Sequence, residues 1–570
     1  MGEDGKGRTA AIERVVPGIG ALRTYERRGL RPDVVAGIVL AAILVPQGMA
    51  YAELAGLPPV NGLYTTVACL VGYALMGPSK ILVLGPDSSL GPLIFAAITP
   101  LVVAGDDPAT AIALAGMLAI LVGVIEVGLG VGKLGFVADL LSSEVQVGYM
   151  NGLAIVIIVG QLPKLSGFST DADTFIGEVR EFVTNFDERD TTALTLGLIT
   201  LTVLLVLPRL TRRVPAVLVA VVGATVVTAV WDLDIATVGT LPKGLPSPAV
   251  PWTNISDVGP LLIAAVGITL VSLTDTIALS TSFNARRGEP VKPNREMIGI
   301  GSANIAAGFF RGFAISASSS RTAVAEQSGA KSQLAGLVGA GVVVLLLVWF
   351  NGLLANLPNS ALAAVVIAAA ISLADVSLLT RVWRFRPSAV LLSLVASAGV
   401  IFLGVLEGIV VAIVLSILLF FHRNWWPHGE VLGRVPDREG WHSDAGGDSL
   451  TQVPGVVVFR WEAPLFFANS GLFADQVREL VEERHPAWVV LQCEAITDID
   501  VTAAGVLERL DQELNAKGVH LAFVELRTRL RDLVHDYGLL NTLDRDHFYA
   551  SIDEALAEVG RHPNDEVPTR

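Results

Sequence analysis

Gly85-Pro86-Asp87-Ser88-Ser89 opens one apolar run, and Ser316-Ala317-Ser318-Ser319-Ser320-Arg321 opens another far along the chain. Counted outward from these polar breaks, Val34 to Phe421 is a series of apolar runs divided by short loops. The first set is 34–52, 63–76, 87–103, 109–131, 145–162, 192–208 and 214–231. The second is 258–283, 297–310, 317–328, 334–354, 360–376, 388–404 and 406–421. A bilayer-spanning helix needs about 20 apolar residues, so the runs predict an all-α polytopic membrane domain of fourteen segments. Each quoted break heads the third run of its set of seven. Short or Gly/Pro-interrupted runs at matching places in two halves point to a transporter built from inverted repeats. Seven is odd, so the second set enters from the opposite side and the repeats are inverted.

Composition agrees with a membrane protein. The 570 residues are 52% hydrophobic and only 16% charged, against about 25% charged in soluble domains. The formal net charge of −14 argues against a nucleic-acid partner, which calls for a basic face. The charge is uneven: residues 431–570 carry −12 and residues 1–430 only −2. Loop charges give an orientation. With the N-terminus inside, the inner loops hold thirteen Lys and Arg and the outer loops five, as the positive-inside rule requires. The polar N-terminal arm, 1–30, is unlike a cleavable signal peptide. Cys69 and Cys493 have no metal-type spacing and are expected as reduced core residues.

The tail alternates strand and helix patterns. Strands are expected at 455–462, 487–493 and 518–524, and helices at 472–485, 502–516 and 526–537. This predicts a small α/β domain over 454–560. It follows a membrane domain at 31–422 and a polar linker at 423–453, and precedes a tail at 561–570. The soluble part shows no metal cluster, nucleophile elbow or phosphate loop, so an enzyme has least support. No metal and no cofactor is expected.

A helix starting inside the membrane aims unpaired N–H groups and a positive dipole end at its centre. Two such ends facing each other make an anion site. Ser88, Ser89, Ser318, Ser319 and Ser320 add hydroxyl donors, and Arg321 adds fixed positive charge. Asp87 is a natural helix cap, although its charge opposes an anion. Asp275 lies well inside an apolar run, where a carboxylate marks function, so it is expected to take up a proton or cation with substrate. Glu53, Asp139, Glu144, Glu326, Asp375 and Glu407 fall near run ends. Glu126 is deeper, and the sequence offers it no partner.

The chain resembles the sulfate permease family, the SLC26/SulP anion transporters. Pro46-Gln47-Gly48-Met49-Ala50-Tyr51-Ala52, Leu54–Pro59, Gly62-Leu63-Tyr64, Gly77-Pro78-Ser79 and Gly85-Pro86 carry the first half of the likeness. Asn304-Ile305, Gly308 and Ser318–Ala323 carry the second. Ala463–Asn469 and Asp500-Val501-Thr502 resemble the STAS domain that ends such proteins. The resemblance implies core and gate subdomains and a homodimer. It implies an anion pocket of Gln47, Tyr51, Asp87, Ser88, Ser89, Ser318, Ser319, Ser320 and Arg321, with Asp275 as the ion-coupling acid.

The sequence departs from the family at three places. Many relatives have an apolar residue where Asp87 stands. The position one turn after the acid is Leu279 rather than a hydroxyl, which favours protons over sodium. Val501 replaces the phosphorylated serine of related soluble STAS proteins, so Thr502 is expected as a helix cap. The expected function is secondary active transport of a small anion (sulfate, bicarbonate or dicarboxylate) across the inner membrane, with protons, by alternating access. The alternatives are an uncoupled anion exchanger or channel, and a nucleobase permease. The N-terminus and the STAS domain are expected in the cytoplasm.

Overall fold

The computed structural model describes residues 16–102, 108–139, 142–170, 172, 174–211, 215–252, 254–288, 290–375, 377, 380, 381, 383, 387–435, 439–443, 450–539, 543 and 547–559. The tail at 561–570, much of the N-terminal arm, and Arg212, Arg213, Arg384 and Arg386 of the inner loops lie outside them. The chain divides into two units, 1–417 and 418–570.

The first unit carries every expected run as a helix. The first set is α1 (Leu30–Leu54), α2 (Pro59–Met76), α3 (Gly91–Ile98), α4 (Pro108–Val131), α5 (Ser143–Ser166), α6 (Thr191–Leu210) and α7 (Ala216–Val230). The second is α8 (Ile255–Arg286), α9 (Pro293–Phe309), α10 (Ser319–Gln327), α11 (Leu334–Trp349), α12 (Asn359–Leu373), α13 (Pro387–Leu403) and α14 (Val405–Trp425). The third helix of each set is a stub: α3 has 8 residues and α10 has 9. Among the described residues, α1, α2, α4, α5, α6 and α8 are long and apolar enough to cross a membrane unaided. Polar residues start several helices. Asp190 accepts the Thr192 and Ala193 amides before α6, and Asn254 and Asp257 form a capping box before α8, each satisfying otherwise orphaned N–H groups. The loop at 163–191 also folds a short amphipathic helix, Phe175–Thr184, which the apolar-run pattern did not anticipate.

The helices pack as two bundles. α1–α4 and α8–α11 form one, with α9 against α4 and α2, and α11 against α1 and α2. α5–α7 and α12–α14 form the other, with α12 and α13 against α5, α12 and α7 against α6, and Gly408 of α14 against Val400 of α13. These match the core and gate subdomains expected of two inverted repeats. Small residues set the spacing inside the core. A Cβ on Gly123 would lie 2.5 Å from the Gly301 carbonyl oxygen, and one on Gly301 would lie 2.6 Å from the Gly123 oxygen. In membranes, small residues let helix backbones approach this closely.

The second unit is an α/β domain. Its sheet runs β4-β3-β5-β6-β7-β8, from β3 (Gly429–Gly433), β4 (His442–Ser443), β5 (Val456–Trp461), β6 (Trp488–Gln492), β7 (His520–Val524) and β8 (Phe548–Tyr549). β5 to β8 are parallel, and β3 joins β5 antiparallel. Side chains alternate across the strands. Phe459, Trp461, Val489, Leu491, Leu521 and Phe523 pack under α15 (Ser470–Arg484), α16 (Val501–Ala516) and α17 (Thr528–Asp536). Val456, Val458, Val490, Ala522 and Val524 face α18 (Ile552–Val559). Two expectations are corrected here. Residues 423–453 are not a bare linker, because β3 and β4 lie within them and extend the sheet. Asp500, not Thr502, caps α16, accepting the Ala503 amide at 2.8 Å; Thr502 is already helical. Cys69 and Cys493 are free and buried. Burial raises the Cys493 thiol pKa.

Candidate functional site

The two polar breaks pair with each other. β1 (Leu84–Gly85) and β2 (Ser316–Ala317) are antiparallel, with Leu84 opposite Ala317 and Gly85 opposite Ser316. The Ser318 amide donates to Val83 O, and the Val83 amide donates to Thr322 Oγ1 at 3.1 Å. One extended stretch from each repeat therefore satisfies the other's backbone, as an apolar interior demands. α10 begins directly after this pair. α3 begins at Gly91, after a turn at 88–90, slightly later than the sequence suggested.

A cavity of about 1100 Å³ opens beside the pair and touches both core and gate. Gln47, Tyr51, Asp87, Ser88, Asp275, Ser318, Ser319 and Ser320 all line it. Gln47 is 8% exposed, and its Oε1 has no hydrogen-bond partner among the described residues. Leu279 also lines the cavity, one turn beyond Asp275.

Ser89 and Arg321 stand behind the wall. Ser89 is buried and donates from its backbone N and Oγ to Asp87 Oδ1, at 3.0 and 2.8 Å. The same hydroxyl reaches Asp275 Oδ2 at 3.4 Å. Arg321 is 0% exposed. Its Nη1 donates to Pro86 O at 2.5 Å, and its Nη2 lies 3.7 Å from Asp87 Oδ2. A Cβ on Gly85 would sit 3.0 Å from Nη1, so glycine leaves room for the guanidinium. The sequence predicted an arginine in the pocket. The structure places it one layer deeper, reaching the cavity through Asp87.

Three features were not read from the sequence. Gln146 on α5 donates to Asp275 Oδ1 at 3.2 Å, a bond from gate to core. Glu126 has partners after all: Ser272 Oγ and Asn304 Nδ2 each donate to it at 2.8 Å. Asn304 and Ser272 also hold the backbone of Ile315, next to β2. Glu296 is buried and accepts from Tyr73, Ser79 and Ser280, tying α2 and α8 to α9. These partners lie far from their acids in sequence, except Ser280, so no local spacing announces them.

Paired broken helices, inverted halves and a cavity between core and gate define a multi-pass membrane transporter of the inverted-repeat kind. The sequence pattern of the sulfate permease family matches residues 30–396, and that of the STAS domain matches 449–555. A probable sulfate transporter of Mycobacterium tuberculosis is 41% identical over 545 residues, covering 95% of this chain and 97% of that one. The chain belongs to the sulfate permease family, a family of transporters rather than enzymes. The fold is also that of the murine Solute Carrier 26 family member A9 anion transporter in its inward-facing state. That match has a TM-score of 0.87 at 23% identity, covering 97% of this chain and 95% of that one. The transmembrane domain of a cyanobacterial bicarbonate transporter matches at a TM-score of 0.61 and 23% identity, over 69% of this chain and 98% of that one.

Proposed function

We propose that this chain carries a small anion of the sulfate, bicarbonate or dicarboxylate class across the inner membrane, by alternating access coupled to protons. The single observation behind this reading is the cavity, where the heads of two opposed half-helices meet serine hydroxyls and a partly buried carboxylate. Anions suit helix N-termini, and Asp275 is the group to carry the coupled proton. Leu279 offers no oxygen, which disfavours sodium. The domains are a cytoplasmic arm at 1–30, the transport domain at 31–422, and a STAS domain reaching back to β3.

The N-terminus and STAS domain lie in the cytoplasm on this reading, because Lys and Arg crowd the loops on their side. Pro208, Thr211, Pro215 and Ser328 line the cavity near those same loops, which supports reading the arrangement as inward-facing. The protein works as a homodimer among membrane lipids.

The experiment is purified protein in liposomes, given radiolabelled sulfate, bicarbonate or fumarate under imposed pH and sodium gradients. Uptake driven by an inward proton gradient is expected, and Asp275→Asn should abolish the driven part. Unchanged pH-driven uptake in Asp275→Asn sinks the coupling, and flux without proton movement points to an exchanger or channel.

A further inference from the structure

Asp87 has the geometry of a built-in stand-in for the substrate. It lines the cavity, yet its Oδ2 is the carboxylate facing Arg321. Arg321 sits in the first turn of α10, where the helix dipole already repels a cation. Its buried Nε has no hydrogen-bond partner among the described residues, so the guanidinium is incompletely satisfied even with Asp87 nearby.

We propose that Asp87 is a second proton acceptor, distinct from Asp275, which takes up its proton when the substrate anion binds and so hands the charge of Arg321 to that anion. This rests on the anion-transport reading above. The charge count carries it. Arg321 supplies +1, and ionised Asp87 and Asp275 supply −2. The charged or titratable groups facing Asp87 are Arg321 from α10, Asp275 from α8 through Ser89, and Tyr51 from α1. Tyr149 on α5 faces Asp275 in turn. Free phenols stay neutral until about pH 10, so the ionised site totals −1 and repels an anion. Protonating Asp275 alone brings it to zero. Protonating Asp87 as well brings it to +1, and the proton lands on the carboxylate that competes for Arg321. Balance is simple: each proton converts a carboxylate to a carboxylic acid and no other bond changes.

The test is equilibrium binding of radiolabelled sulfate to the purified full-length protein. Sulfate keeps its charge over the whole range, from about pH 6 to about pH 9. In wild type, the dissociation constant should rise with pH. In Asp87→Asn, the slope of its logarithm against pH should fall by about one, the signature of one fewer linked proton. Asp87→Ser keeps a capping oxygen for Ser89 and should show the same flattening, which guards against misfolding of the first variant. An unchanged slope in either well-folded variant overturns the proposal. No binding of sulfate, bicarbonate or fumarate by wild type at any pH overturns the transport reading instead, and the proposal with it.

Discussion

Gln146 Nε2 donates to Asp275 Oδ1 across 3.2 Å, and this bond joins a gate helix to a core helix. If the gate moves against the core during transport, the bond must break and re-form in each cycle. Gln146→Leu keeps the bulk and removes the donor. A hydrogen bond to a charged group contributes about 1.5 kcal/mol or more, and about 1.4 kcal/mol is a factor of ten. Proton-driven sulfate uptake in liposomes should fall about tenfold, with the protein still monodisperse. Wild-type uptake in this variant would remove Gln146 from the mechanism.

Glu126 anchors the backbone just before β2. Ser272 and Asn304 both donate to it and both reach the Ile315 backbone, so its loss frees the strand before Ser316. Glu126→Leu takes the carboxylate from two buried donors and leaves them only the Ile315 carbonyl, together about 1–3 kcal/mol. The melting temperature should fall and sulfate binding should weaken with it. Glu126→Gln keeps one acceptor and should lie between this variant and wild type. A Leu variant with the melting temperature of wild type contradicts the role.

The transport fold was legible because apolar runs are local. Membrane solvent imposes run length directly, and the two breaks at Asp87 and Ser318 stand out against it. Most pocket residues followed, since Gln47, Tyr51 and the serines lie within recognisable motifs. Arg321 shows the limit. Its position was visible in sequence but its direction was not. That direction depends on the Pro86 carbonyl and on the space left by Gly85, two groups from the other repeat. Gln146, Glu126 and Glu296 belong to the same class of pairing, where both partners look ordinary alone. β3 and β4 escaped for another reason. They are short, and Gly429 and Gly433 bracket the first of them.

Gly123 and Gly301 pack backbone to backbone between α4 and α9. A side chain at either position meets a carbonyl oxygen rather than a flexible neighbour, so the helices themselves must part. Gly123→Leu should lower the yield of folded protein sharply, and Gly123→Ala should lower the melting temperature by less. Overpacking of this kind typically costs about 1–3 kcal/mol. Size-exclusion profiles and thermal unfolding of the purified variants check both. A Leu variant as stable as wild type would show that the seam can open freely.

In the STAS domain, Arg478 on α15 donates to Glu513 on α16 at 3.0 Å and to Asp475 at 2.8 Å. The hydrogen bond from Arg478 holds the Glu513 pKa below its ordinary value. A carboxyl depressed on folding stabilises the native state above its unfolded pKa, about 4.3. That stabilisation is lost as pH falls through the lower, folded value. The pair is partly exposed, so screening limits it to about 0.2–1 kcal/mol. Arg478→Ala should therefore speed amide exchange in α15 and α16 of the full-length protein at neutral pH. The difference between variant and wild type, taken at matched pH, should close once the solution is acid enough to protonate Glu513. A difference that persists in acid would mean that Arg478 acts there by packing its stem and not by its charge.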